Sequence, residues 1–318
     1  MFREEVPRAP LWAWIFVAVS APVARLAGGS AWPGVLILSL LCACLCWGIH
    51  AVCPDAARWQ RWCCLIQFLF LIPAAGEMAR LAENCWPTGG SFPVVPITLV
   101  VLAAANAWNG AARASRVGGV LFWLLALLYC LVLFSGVQDV RPEWLAPRMD
   151  FPKPLLAVVL LLPGAAAMLP KSGGRGAAGW GLTLIFGFSM LLSLLVSGNL
   201  SPAVAASSPD PFYAFSKSLS FLGVAERFEA FVSVALTMSY FGMLSLLFAL
   251  GGFLLESVRP RWGRVGVLLC ALGSVLLLLA PPIPEIVLAV GAAVLWLGLP
   301  FLQGTFMKIK TKKLEKGT

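Results

Sequence analysis

Residues 117–134 read VGGVLFWLLALLYCLVLF, 18 consecutive positions without a charged side chain, with Arg113 and Arg116 just ahead of them. At 1.5 Å per residue a helix of that length covers ~27 Å, close to the ~30 Å of hydrocarbon in a bilayer. Hydrocarbon offers a backbone amide no partner, so such a run crosses as a helix that satisfies its own hydrogen bonds. Working outward, nine further apolar stretches follow the same pattern, near 9–27, 33–49, 63–81, 92–108, 154–169, 177–196, 228–253, 265–279 and 286–302. The sequence therefore predicts an all-α integral membrane protein with ten transmembrane helices. A chain with 60% hydrophobic and 12% charged residues fits that class and departs from soluble proteins, where about 25% are charged.

Charge sets the orientation. Taking the connections alternately, one side holds Arg3, Arg8, Arg58, Arg61, Arg113, Arg116, Lys171, Arg175, Arg259, Arg261, Arg264 and the five lysines of the tail, 16 in all. The other side holds the remaining 7: Arg25, Arg80, Arg141, Arg148, Lys153, Lys217 and Arg227. Basic residues stay in the cytoplasm, so the N- and C-termini are expected there, in keeping with an even number of crossings. The first stretch resembles a secretory leader, with Ala18-Val19-Ser20 as a cleavage-like run, but it is read as a retained helix. The tail 308–318, with Lys308, Lys310, Lys312 and Lys313, is expected to lie on anionic lipid rather than on nucleic acid.

The remaining composition argues against bond chemistry. Cys42, Cys44 and Cys46 alternate on one helix, so Cys42 and Cys46 share a face that Cys44 does not, a poor chelate. His50 is the sole histidine, and no Ser-His-carboxylate set or buried acidic pair is present. No enzyme activity, metal or cofactor is expected. Gly173-Gly174-Arg175-Gly176 reads as a flexible link and not as a phosphate loop, because no Gly-Lys-Ser/Thr follows it.

The ten spans divide into five plus five, and an odd-numbered unit that starts inside ends outside, so the second copy is inverted. A single transmembrane domain results, with one repeat in 1–153, a second in 154–307 and the basic tail 308–318. The first span of each half carries a potential break, at Ser20-Ala21-Pro22 and at Pro163-Gly164. Paired breaks of this kind point to an inverted-repeat transporter with its ligand at the opened helices. Ala21, Pro22, Pro163 and Gly164 are therefore binding candidates.

A few polar side chains join them. Gln67 lies inside the third span, and Glu77, Arg80 and Glu83 follow at three-residue spacing, either as a charge ladder or with Glu77 at a ligand rim. Ser233, Thr237 and Tyr240 lie along one face of the eighth span, and they either bond back to their own helix or line a cavity. Glu226, Arg227 and Glu229 at the start of that span read as architectural, since acidic groups complement a helix N-terminus. Asn106 and Asn109 are placed to cap or bridge helices near the end of the fourth span.

Several runs resemble the B subunits of spore germinant receptors, the endospore germination permease family of the amino acid–polyamine–organocation superfamily. Leu222-Gly223-Val224-Ala225-Glu226-Arg227-Phe228-Glu229-Ala230 is similar to the Glu-Arg-x-Glu signature opening that family's eighth span. Asn109-Gly110 through Arg116, Asp139-Val140 with Trp144-Leu145-Ala146-Pro147, and Pro22 with the run ending at Trp32 resemble further segments. The resemblance implies a LeuT-like 5+5 fold and recognition of a small germinant such as an amino acid. It also implies the receptor's A and C subunits as partners, in the cell membrane or spore inner membrane. The alternatives are an amino-acid secondary transporter and a non-binding scaffold subunit of the receptor.

Overall fold

The computed structural model describes residues 11–28, 30–52, 61–83, 93–145, 152–166, 174–208, 210–219 and 228–302. Every regular element among them is helical: α1 (Leu11–Gly28), α2 (Trp32–Val52), α3 (Arg61–Glu83), α4 (Val94–Ala107), α5 (Ala111–Val137), α6 (Pro154–Ala166) and α7 (Gly174–Asn199). Two short helices follow, α8 (Pro202–Ser207) and α9 (Pro211–Ser218), and then α10 (Phe228–Val258), α11 (Gly263–Leu278) and α12 (Glu285–Ala292). A π-helical turn, Ala293–Gly298, prolongs α12 into an apolar span that ends at Leu302.

Among the described residues five apolar helices are long enough to cross a bilayer: Leu11–Gly28, Arg61–Glu83, Ala111–Val137, Ala230–Val258 and Glu285–Leu302. Five shorter ones accompany them, Trp32–Gly48, Val94–Ala107, Pro154–Ala166, Thr183–Asn199 and Gly263–Leu278. These coincide with the ten stretches of the sequence. The chain between α7 and α10, expected as a loop, folds into α8 and α9, whose N-caps Ser201 and Asp210 accept the Val204 and Tyr213 amides. Helix α7 already begins at Gly174, so the Gly173–Gly176 run is not a free link along its length.

Burial separates the helices by role. A helix that is apolar on all sides belongs in the interior of a bundle. α1 obeys this, with every residue buried except Trp12 and Arg25, and so does α6, with only Pro154 and Ala157 outside the buried set. α5 instead turns Val120, Trp123, Leu127 and Phe134 outward, each more than 60% exposed, the surface expected against lipid. Helices close in where side chains are smallest. A Cβ on Gly242 of α10 would stand 2.6 Å from Val17 of α1, and one on Gly266 of α11 would stand 2.8 Å from the Gly251 carbonyl of α10.

The proline segments behave differently from the sequence expectation. Both α1 and α6 run on as helices through Pro22 and through Pro163 and Gly164. Proline removes one amide and one ladder bond, a loss that a membrane helix packed among neighbours tolerates without unwinding.

The connections sort to two ends of the bundle. At one end Arg25 Nη1 donates to the Leu81 carbonyl at 2.6 Å, and Arg80 Nη2 donates to the Leu277 and Ala280 carbonyls. There too Arg141 N–H reaches the Gly198 carbonyl and Trp32 Nε1 the Leu145 carbonyl. At the other end Arg264 of α11 lies 6.0 Å from the Trp108 ring at the close of α4, and Arg259 stacks on Trp262.

Candidate binding site

The innermost contact of the bundle joins α1 to α10. Ser239 Oγ accepts the Ala21 N–H at 2.9 Å and donates to the Val17 carbonyl at 2.5 Å. Val17 and Ala21 are four apart, so in an uninterrupted helix these two groups pair with each other. A hydroxyl from α10 thus reaches both groups of one rung of the α1 ladder, one residue before Pro22. Ser20 Oγ lies 3.0 Å from Ser239 Oγ and 3.2 Å from the same Val17 carbonyl. In place of the opening anticipated at Ser20-Ala21-Pro22, the helix runs on with a neighbour's hydroxyl bonded to its backbone. Ala21, Pro22, Ser20 and Ser239 are all buried.

On α6, Pro163 and Gly164 are buried within the helix, and the Cys46 thiol of α2 is in hydrogen-bond contact with the Gly164 backbone. Cys42 and Cys46 face inward while Cys44 is exposed, as their spacing requires. Among the described residues no group of His, Cys, Asp and Glu is assembled that holds a metal ion.

Gln67 is fully buried on α3, and its Nε2 donates to the Leu295 carbonyl in the π-turn at 2.8 Å. A π-turn sets one residue more into the helical repeat and loosens the backbone ladder, and the Gln67 amide supplies a donor at that point. One helical turn along α3, the Phe70 ring meets Trp296 of the π-turn edge-on, with centroids 5.5 Å apart.

Glu77 pairs with Arg80 as their three-residue spacing predicts. Its Oε1 accepts from Arg80 Nη1 at 2.8 Å and from the Ile283 N–H at 3.0 Å, which ties α3 to the chain between α11 and α12. Ser233 and Thr237 take the bond-back arrangement, Thr237 Oγ1 donating to the Ser233 carbonyl at 2.8 Å, and Tyr240 is buried in the core. Asn106 bridges α4 to α10 through Ser245 at 3.1 Å. Glu226 and Arg227 lie outside the described residues, and Glu229 belongs to the first turn of α10.

Three features escaped the sequence reading. The first is Ser239, one hydroxyl among several on α10, whose partner lies more than 200 positions away. The second is the π-turn with Trp296, for which the surrounding apolar run gives no sign. The third is an ion pair, Arg25 Nε to Asp210 Oδ2 at 3.7 Å, between the end of α1 and the N-cap of α9. Burial pushes the Asp210 carboxyl above its ordinary range, outweighing the opposing pull of the Arg25 guanidinium and the Tyr213 amide. Phe212 and Phe215 of α9 are fully buried, and Phe212 extends an aromatic cluster that includes Phe16, Tyr129 and Phe188.

No protein-family model matches the chain. No curated protein sequence matches it either. Among solved structures it is similar to Mhp1, a nucleobase-cation-symport-1 family transporter, in a closed conformation with bromovinylhydantoin bound. The TM-score is 0.56 at 13% sequence identity, over 92% of this chain and 76% of that one. At that identity the likeness speaks to architecture alone. The chain is an all-helical integral membrane protein with a LeuT-like fold.

Proposed function

We propose that this protein is the nutrient-recognition subunit of a spore germination receptor, a transporter-fold protein that binds a small polar germinant and reports the event to its A and C subunits. The reading joins the Glu-Arg-x-Glu run and its companions in the sequence to the LeuT-like fold. It includes ten crossings in a 5+5 inverted repeat, both termini in the cytoplasm, the basic tail on anionic lipid, and residence in the spore inner membrane.

One observation favours sensing over ion-coupled pumping. The polar cluster at the centre of α1 is closed on itself: the Val17 carbonyl receives the Ser239 hydroxyl, and the Ala21 N–H points at the oxygen of that hydroxyl. A cation at that point would have to displace a bonded hydroxyl and face an amide donor. The proposed switch has two packings, one with the hydroxyl on the α1 backbone and one with α10 withdrawn. A germinant that binds one packing more tightly shifts the population toward it, and the partner subunits respond to that shift.

Two other readings keep a specific basis. A completed transport cycle fits the likeness to a transporter structure. A non-binding scaffold fits the dense interior of α6, where Ala165 and Ala166 are fully buried beside Gly164. The deciding experiment uses the protein purified with its A and C subunits and reconstituted in proteoliposomes, with labelled amino acids and nucleosides offered to one preparation. Saturable binding without accumulation is the expected outcome. Concentrative uptake makes it a transporter, and absence of both makes it a scaffold.

A further inference from the structure

Five arginines gather on two neighbouring turns at the pole expected in the cytoplasm. Arg259, Arg261 and Arg264 stand at the α10–α11 turn, Arg113 and Arg116 open α5 just after the α4–α5 turn, and all five are exposed. The turns adjoin, because α11 packs on α4 and Arg264 lies over the Trp108 ring. Among the described residues this pole has one carboxylate, Glu256 in the last turn of α10, and it is buried. The ion pairs of Arg25 with Asp210 and of Arg80 with Glu77 both lie at the opposite pole. Arg113, Arg116, Arg259 and Arg261 have no carboxylate partner among the described residues.

Membrane orientation requires positive charge in these connections, but it does not require that the charge be held in place. Two details go beyond it. Arg259 stacks 4.7 Å from the centre of the exposed Trp262 ring, which fixes a planar fork of donors at the surface. Arg261 has φ 76°, the left-handed region that glycine enters more easily, and no other described non-glycine residue does so. The same surface then changes character. Along α11 the residues Val265, Leu268, Leu269 and Leu272 are each more than 40% exposed, and their spacing of three and four puts them on one face. A molecule that meets both parts carries an anionic head and alkyl chains together.

We propose that the α10–α11 turn and the adjoining face of α11 form a docking surface for an anionic phospholipid, its phosphate held by Arg259 and Arg261 and its acyl chains lying along Val265, Leu268 and Leu272. Arg264, Arg113 and Arg116 extend the positive field around the head. Guanidinium groups match phosphate oxygens two at a time, so a headgroup supplies the partners that the protein does not. A free phosphate or an acidic peptide would leave the apolar stripe unused. The surface is a different segment from the lysine tail, and its occupancy does not depend on the receptor reading.

The test is native mass spectrometry of the full-length protein released from detergent, titrated with phosphatidylglycerol and with phosphatidylcholine of the same chain length. Phosphatidylglycerol is expected to bind more tightly. Arg259→Gln and Arg261→Gly are each expected to weaken it about fivefold, the share of one basic residue at an anionic surface, and to leave phosphatidylcholine unchanged. Arg261→Gly also relieves the backbone, so thermal unfolding in detergent should be no lower than wild type while lipid affinity falls. Arg141→Gln, whose arginine is likewise stacked on an indole (Trp144) but at the opposite pole, should have no effect. The surface is overturned if both turn variants keep the preference for phosphatidylglycerol, since the lysine tail would then carry it, or if Arg141→Gln weakens binding equally, since net charge alone would then decide. Displacement of the lipid by millimolar glycerol phosphate would replace it with a free-phosphate site, and displacement by a glutamate-rich peptide would replace it with a protein contact.

Discussion

At the scale of single residues, the Ser239 hydroxyl carries the most consequence, because the two groups it bridges are natural partners of each other. The cost of removing it depends on whether they meet. Ser239→Ala withdraws the hydroxyl and leaves the Val17 carbonyl and the Ala21 amide to pair with each other. The expected loss is about 1 kcal/mol, the order of one interhelical hydrogen bond in a membrane protein. Ser239→Val keeps bulk in the gap without a donor or acceptor, so both backbone groups stay unpaired at about 1–3 kcal/mol each. Thermal unfolding in detergent should therefore rank wild type above Ser239→Ala and both well above Ser239→Val. Equal losses in the two variants would mean that the α1 ladder does not close when the hydroxyl leaves.

At the scale of helices, the sequence made the spans legible because lipid enforces one rule on every crossing: apolar outside, backbone paired within. The faces of Cys42, Cys44 and Cys46 and the bond from Thr237 back to Ser233 were legible for the same reason, since both are local helical geometry. Other features depended on a neighbour. Pro22 announces a missing amide, yet whether the helix unwinds or is stitched is decided by α10, which the local sequence does not contain. The π-turn at Ala293–Gly298 lies in an ordinary apolar run, and its donor comes from Gln67, 228 positions earlier. Glu77 and Arg80 were visible as a pair at three-residue spacing, but their second task was not. Arg80 serves as a C-terminal cap for another helix, donating at 2.6 Å to the Leu277 carbonyl and at 2.7 Å to that of Ala280, at the end of α11. The final carbonyls of a helix have no partners of their own, and a cation there also complements the dipole. Arg80→Met preserves the aliphatic stem and removes both donors, and it leaves Glu77 without its ion-pair partner. About 2–4 kcal/mol of stability is expected to be lost. Amide exchange should rise at residues 276–283 and stay near wild type in α4 and α5. Uniform acceleration across the bundle would show that the cap is not a local device.

At the scale of the whole molecule, the question is which end of the bundle faces the cytoplasm, and two independent observations meet on it. The contacts gather the ends of α1, α3, α7 and α11 and the turn after α5 at one pole, and the α4 and α10–α11 turns at the other. This is the alternation that ten crossings demand. In the sequence, the alternating connections divide the basic residues 7 to 16. Loop arginines and lysines resist translocation, so the pole with Arg113, Arg116, Arg259, Arg261 and Arg264 is expected in the cytoplasm, and residues 142–145 on the opposite face. Green fluorescent protein fused after Thr318 should fluoresce, and alkaline phosphatase fused there should be inactive. Phosphatase inserted within the short 3-10 turn Pro142–Leu145 should be active. Active phosphatase at both positions would mean an even number of crossings between them, and the helix count would have to change. The reversed pattern would keep the count and invert the molecule. In that case the Arg25–Asp210 pair and the aromatic cluster beneath α9 would lie toward the cytoplasm, and the arginine-rich turns would face outside.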